Sequence, residues 1–292
     1  MHFWGELKMT YFAILTEGYN QQEMVHVEKG EFLNVDVVLN IKNFLMVDEV
    51  GQTLKVVFAV KRIWFDSQLT FLHIKSDPKL NVLWERNYDK IWYPKIIFEN
   101  IDPSEDYNER RLVYKILRNM SVTPTIRNPG TFDSANVFKG SDHRIERSKE
   151  YTYHWKCVYD LKWYPFDTQT CSMLFIMPIH QRNFVRLKPQ RIDYQSNGAE
   201  LTEYSVGKLI LCSKSNGTQL VLEVTLGRPL MGSILTIYIP TLLLLVIRYG
   251  NFYRAIFLQV VPTSLIAQVF AEEFIDAVVQ VQVTVLLVLA TL

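Results

Sequence analysis

The stretch Cys157-Val-Tyr-Asp-Leu-Lys-Trp-Tyr-Pro-Phe-Asp-Thr-Gln-Thr-Cys171 holds two cysteines with thirteen residues between them. Closed by a disulfide, a loop of this size gains about 3 kcal/mol by restricting the unfolded chain. Such a bond persists only in an oxidising compartment, which places the segment outside the cytosol. Within the loop, Tyr164-Pro165 suits the cis bond of a tight turn, and Asp167 sets one charge beside Trp163, Tyr164 and Phe166.

Upstream and downstream of this loop the chain reads as strands. From Phe32, Val35, Val37 and Leu39 alternate with Asp36, Val38 and Asn40, and the turn Asp48-Glu-Val-Gly51 leads into Leu54–Lys61. Further β-rich runs cover Ile91 to Phe98, Val137 to Lys139, Tyr151 to Trp155, Cys171 to Met177, Tyr204 to Leu211 and Gln219 to Leu226. Strand-length runs at short spacing, with no long amphipathic helix between them, predict a mainly β, antiparallel, immunoglobulin-like sandwich over residues 1–227.

A hydrophobic content of 49% and a net charge of +1 exclude a disordered chain and argue against nucleic-acid binding. No GxSxG, phosphate loop or zinc-type cysteine spacing occurs, and the histidines are scattered, so neither an enzyme nor a cofactor or metal site is expected. His180 reads as ordinary surface. Asn119-Met-Ser121 and Asn216-Gly-Thr218 are glycosylation triplets suited to an extracellular face.

The tail has a different character. After Leu226 the charged residues are Arg228, Arg248, Arg254, Glu272, Glu273 and Asp276, and the nineteen residues Pro229–Ile247 carry no charge. As a helix they would span ~30 Å of hydrocarbon. Residues 228–292 are therefore expected to be a transmembrane helical domain, with its first helix at about 229–247 and its later, more positive end in the cytoplasm. Near the carboxyl end, Gln280, Thr284, Leu287 and Thr291 fall at i, i+4, i+7 and i+11, along one helix face. A helix in lipid gains nothing by gathering polar groups unless that face meets water or partner helices.

The cysteine spacing and the inner Asp-Leu, Tyr-Pro-Phe-Asp and Gln residues resemble the signature loop of the Cys-loop receptors, the pentameric ligand-gated ion channels. Trp64-Phe-Asp66, Ile91-Trp-Tyr-Pro94 and Glu99-Asn100 stand where that family has comparable motifs, and Pro240 matches a proline of its first membrane helix. The resemblance covers nearly the whole chain. It implies a Cys157–Cys171 disulfide, with Cys212 left as a free thiol. It also implies a plasma-membrane, multi-pass location with the amino-terminal domain outside, homologous subunits as partners, and a small-molecule or ion ligand bound between subunits. Glu49, Pro165, Asp167 and Arg228 match residues that couple the extracellular domain to the membrane. Asp276, Gln280, Thr284, Leu287 and Thr291 match the pore helix, about 276–292, with a leucine gate at Leu287.

The chain departs from the family in several places. The family's ligand-site positions fall here on Ala59, Lys61, Glu99, Pro178 and the capping loop Cys212–Thr218, which lack the aromatic box that attracts a transmitter amine by cation–π contact. Glutamate, a proton, a metal ion or no ligand become better expectations than acetylcholine. Where the family has Pro-Ala-Arg in its anion channels, this chain has Asp276-Ala277-Val278, which implies a cation preference; an anion-selective member is the alternative. Residues of about 253–271 form an apolar insertion between the membrane helices, read as an interfacial or re-entrant segment or, preferably, as translated intron. Met1–Leu15 makes a poor secretory leader, so a different amino terminus is expected. The end at Leu292, inside the pore helix, raises a competing function: a tethered or shed extracellular binding module that does not conduct.

Overall fold

The computed structural model describes residues 13–15, 19–20, 31–103, 108–127, 134–194, 201 and 204–253. In chain order the strands are β1 (Ala13–Leu15), β2 (Leu33–Asp48), β3 (Thr53–Phe65), β4 (Thr70–Leu72), β5 (Ile97–Phe98), β6 (Asn108–Leu117), β7 (Thr125–Arg127), β8 (Ala135–Lys139), β9 (Arg144–Lys156), β10 (Thr168–Ile176), β11 (Val185–Tyr194), β12 (Ser205–Lys214) and β13 (Gln219–Gly227). They form a five-stranded sheet ordered β11-β2-β3-β9-β6, a four-stranded sheet β12-β13-β10-β5 and a smaller sheet β1-β4-β8-β7.

Period-two alternation decides which side of each strand is buried. Along β3, Leu54, Val56, Phe58, Val60, Arg62 and Trp64 all turn inward. Along β10, Gln169, Cys171, Met173 and Phe175 do the same. The two inner faces meet in an aromatic cluster centred on Phe58, whose ring lies 5.7 Å from those of Phe98 and Tyr151, 5.8 Å from Trp155 and 6.0 Å from Phe175. Because these rings come from both larger sheets, they hold the sandwich together.

Three features of the sandwich differ from the sequence expectation. The sandwich is antiparallel except where β11 runs parallel to β2, from Val185 opposite Leu33 to Tyr194 opposite Ile41. Strands β6 and β11 were not expected, and both are edges of the five-stranded sheet, where one face of backbone groups reaches water and charge or proline is tolerated. β6 carries Glu109, Arg110 and Arg111, and β11 carries Pro189 among three basic residues, Arg186, Lys188 and Arg191, which hides their alternation. The expected strand Ile91–Phe98 is shorter, with only Ile97–Phe98 in a ladder.

The chain divides into two compact units: Met1–Lys162 with Asp167–Gly227, and Trp163–Phe166 with Arg228–Leu292. In the second, a helical run begins as α1 (Leu230–Ser233), passes through a π-helical turn at Ile234–Tyr238 and continues as α2 (Ile239–Tyr253). Pro240 has no N–H for the carbonyl four residues earlier and its ring crowds that turn, which accounts for a break in regular α geometry just before it. Among the described residues no helix is long and apolar enough to cross a membrane. Of the expected insertion at about 253–271 only Tyr253 is described, and Asp276, Gln280, Thr284, Leu287 and Thr291 lie outside the described residues.

Candidate functional site

Cys157, just past β9, and Cys171, in β10, form a disulfide with a Cα separation of 5.1 Å. It ties the five-stranded sheet to the four-stranded one. Between them the Tyr164–Pro165 bond is cis, and Pro165 is buried. The loop is also pinned from inside: the Gln169 side chain accepts the Asp160 N–H at 2.9 Å and donates to the Asp160 carbonyl at 2.8 Å and to the Asp167 carboxylate. Asp167 is thereby held, buried, at the start of β10.

Glu49 lies in the turn between β2 and β3 and accepts a 2.6 Å hydrogen bond from the buried Tyr204 hydroxyl. Asp48 fixes the same turn by accepting the Val50 and Gly51 N–H groups. Burial, and then the negative charges of Glu49 and Asp48, push the neighbouring Tyr159 phenol well above its ordinary pKa, so it stays a neutral donor to the Thr53 carbonyl. In the second unit, the Arg228 guanidinium sits 4.7 Å from the Tyr164 ring centre.

The positions expected to meet a ligand separate into two groups. Ala59 and Lys61 are on the outer face of β3, opposite the inward Phe58, Val60 and Arg62. Glu99, Pro178, Cys212 and Thr218 belong to the four-stranded sheet or its connections. Glu99 is exposed, and its N–H donates to the Leu174 carbonyl of β10. Pro178 follows β10, and the N–H of Met177 reaches the Thr218 carbonyl at 3.0 Å, so those two segments adjoin. Cys212 is a free, half-buried thiol in β12, opposite Val221. The hairpin tip beyond it needs left-handed backbone at Ser215, Asn216 and Gly217, and only the last adopts it without a Cβ penalty. Asn216, on that tip, is exposed, as is Asn119.

Sequence reasoning missed two residues beneath this site. Arg62 and Arg147 are 2% and 4% exposed and lie directly opposite each other on β3 and β9. Arg62 donates to the Pro94 carbonyl at 2.7 Å, and Arg147 stacks 4.0 Å from the Tyr93 ring centre, so both grip the segment that leads to Glu99. The period of β3 was the available signal, because it puts Arg62 in the inward series. The segment is held on its other side as well, where Tyr19 donates to Asp66 at 2.8 Å and accepts the Trp92 N–H at 3.0 Å.

A second buried group carries a pH consequence. His143 is fully buried beside Phe138, and its Nδ1 accepts the Asn119 N–H at 3.0 Å. Desolvation lowers its pKa, with Arg118 adding to the effect and Asp142 opposing it. The folded state thus binds the proton more weakly than the unfolded chain. Stability is expected to be full above the unfolded value of about 6.5 and to fall as pH drops below it, by at most about 1.4 kcal/mol per pH unit. In His143→Asn, which keeps an acceptor, this slope should vanish in denaturant titrations run between pH 7.5 and 5.

Residues 8–219 match the family model described as the neurotransmitter-gated ion-channel ligand binding domain. The betaine receptor acr-23 of Caenorhabditis elegans is 26% identical over 55% of this chain and 26% of its own length. The serotonin-gated chloride channel mod-1 of the same species is 22% identical over 75% of this chain and 42% of its own length. The acetylcholine receptor subunit delta of Xenopus laevis is 22% identical over 58% of this chain and 28% of its own length. The chain therefore spans between about a quarter and two-fifths of the length of these relatives. Members of this family are receptors and not enzymes. With a family match across most of its length, a disulfide loop enclosing a cis Tyr-Pro turn, and a two-sheet sandwich, the chain belongs to the Cys-loop, neurotransmitter-gated ion-channel family.

Proposed function

We propose that the chain is a subunit of a pentameric channel in the plasma membrane, opened by a small molecule or ion bound between its extracellular domain and that of a homologous neighbour. The observation that carries this reading is the division of the ligand-site positions between the outer face of β3 and the β5–β10–β13–β12 sheet. A site using both groups is completed by apposing two subunits. In this reading residues 1–227 are extracellular and 228–292 enter the bilayer, with the first helix at about 229–247 and the pore helix at about 276–292. Glu49, Pro165, Asp167 and Arg228 transmit binding to the pore, and Asn119 and Asn216 carry glycans on the extracellular surface.

The ligand is not a quaternary amine, although relatives are a betaine receptor and acetylcholine receptor subunits. Ala59, Glu99 and Pro178 offer no aromatic face for a cation. Asp276 forms a ring of carboxylates at the inner mouth and makes the pore cation-preferring, unlike the chloride channel among its relatives.

Replacing Leu287 by Ser tests the pore. A more polar gate wets more readily. Cells expressing the L287S chain, alone or with homologous subunits, are expected to pass a standing current whose reversal potential follows the sodium gradient. Surface protein without such current would favour a non-conducting binding module, and a reversal potential that follows chloride would overturn the cation assignment.

A further inference from the structure

Burying one guanidinium requires a partner, and burying two side by side requires more. Val37, Arg62, Arg147 and Tyr114 form one row across β2, β3, β9 and β6, all inward and all under 5% exposed. Like charges directly opposite on neighbouring strands repel, and in a low-dielectric interior they do so more strongly than at a surface.

The compensation is incomplete. Arg62 donates through Nη1 to the Pro94 carbonyl at 2.7 Å and through Nη2 to the Tyr151 hydroxyl at 3.4 Å, and its Nε–H is buried with no acceptor. Arg147 donates through Nε to the Tyr114 hydroxyl at 2.8 Å and lies over the Tyr93 and Tyr114 rings. Every one of these partners is neutral. Among the described residues no carboxylate pairs with either arginine; the ion pairs there are Lys42–Glu150, Arg144–Asp36, Lys149–Glu109, Lys156–Asp102 and Arg191–Asp193. Burial and the Arg147 charge lower the Arg62 pKa to about 10, still far enough above neutrality to leave Arg62 charged.

We propose that Arg62 and Arg147 form an internal binding site for a small monovalent anion of the chloride class. One such ion supplies the negative charge that the row lacks and an acceptor for the orphaned Nε–H of Arg62. The Tyr114 and Tyr151 hydroxyls, which can turn their O–H groups toward it, suit a small halide better than a multiply charged oxyanion, whose desolvation costs more. Through Pro94 and Tyr93 the ion also stiffens the segment leading to Glu99. This site does not depend on the channel reading.

The test is the melting temperature of the purified full chain as sodium chloride replaces sodium isethionate at constant ionic strength. A saturable rise of about 5–10 °C at a hundredfold excess over Kd is expected. Arg62→Met and Arg147→Met should each lose that rise, whatever their melting temperature in isethionate. An equal response to both salts, or the same chloride response in the variants, overturns the site. If the variants do not fold, crystals of the unsubstituted chain in sodium bromide decide: an anomalous peak between the two guanidinium groups supports the site, and its absence overturns it.

Discussion

A chain with Cys157 and Cys171 both replaced by Ser is expected to lose about 2–5 kcal/mol of stability, enough to abolish most of its folded yield at 37 °C. Closing the loop accounts for about 3 kcal/mol by the entropy of the unfolded chain. The remainder comes from position. Cys157 and Cys171 are among the least exposed residues of the sandwich, and their bond joins the end of β9 to β10 across the two larger sheets. Without it the loop around the buried Asp167 rests on its sheet ends and on the Gln169 hydrogen bonds to Asp160 and Asp167. Denaturant unfolding of the oxidised and doubly substituted proteins measures the difference, and a loss under about 1 kcal/mol would contradict the structural role.

Phe58→Ala is expected to cost about 3–5 kcal/mol. The side chain is fully buried, and rings from both larger sheets surround it: Tyr151 and Trp155 on β9, Phe98 on β5 and Phe175 on β10. Those partners belong to different sheets, so collapse into the vacated space would have to move one layer against the other. The cavity should stay largely open. Phe58→Leu, which keeps most of the volume, should cost less than half as much in the same denaturant experiment. Equal losses for the two variants would show that the aromatic contacts, not the filled volume, set the stability.

The fold and the candidate site were legible in the sequence to different degrees. The cysteine loop announced itself by spacing and inner residues, down to the cis Tyr164–Pro165 turn. Strands β2 and β3 were visible because their inward positions are nearly all apolar. β6 and β11 escaped notice because edge strands carry the charges and the proline that a central strand excludes. Pro240 pointed to a family helix, yet the α geometry of that run is interrupted at Ile234–Tyr238 by a π-helical turn and resumes at Ile239. Arg62 and Arg147 were hidden by residue type, since arginine ordinarily reads as surface. Only the alternation through Phe58, Val60 and Trp64 marks Arg62 as an inward residue, and nothing local to β9 shows that Arg147 is its cross-strand neighbour.

Native mass spectrometry of complexes extracted from membranes of cells expressing this chain, alone and with homologous subunits, tests the central claim most directly. The account predicts a membrane-extracted pentamer that contains the chain, either as identical copies or mixed with homologous subunits. A chain recovered only as a monomer, or only in the soluble fraction, would contradict it.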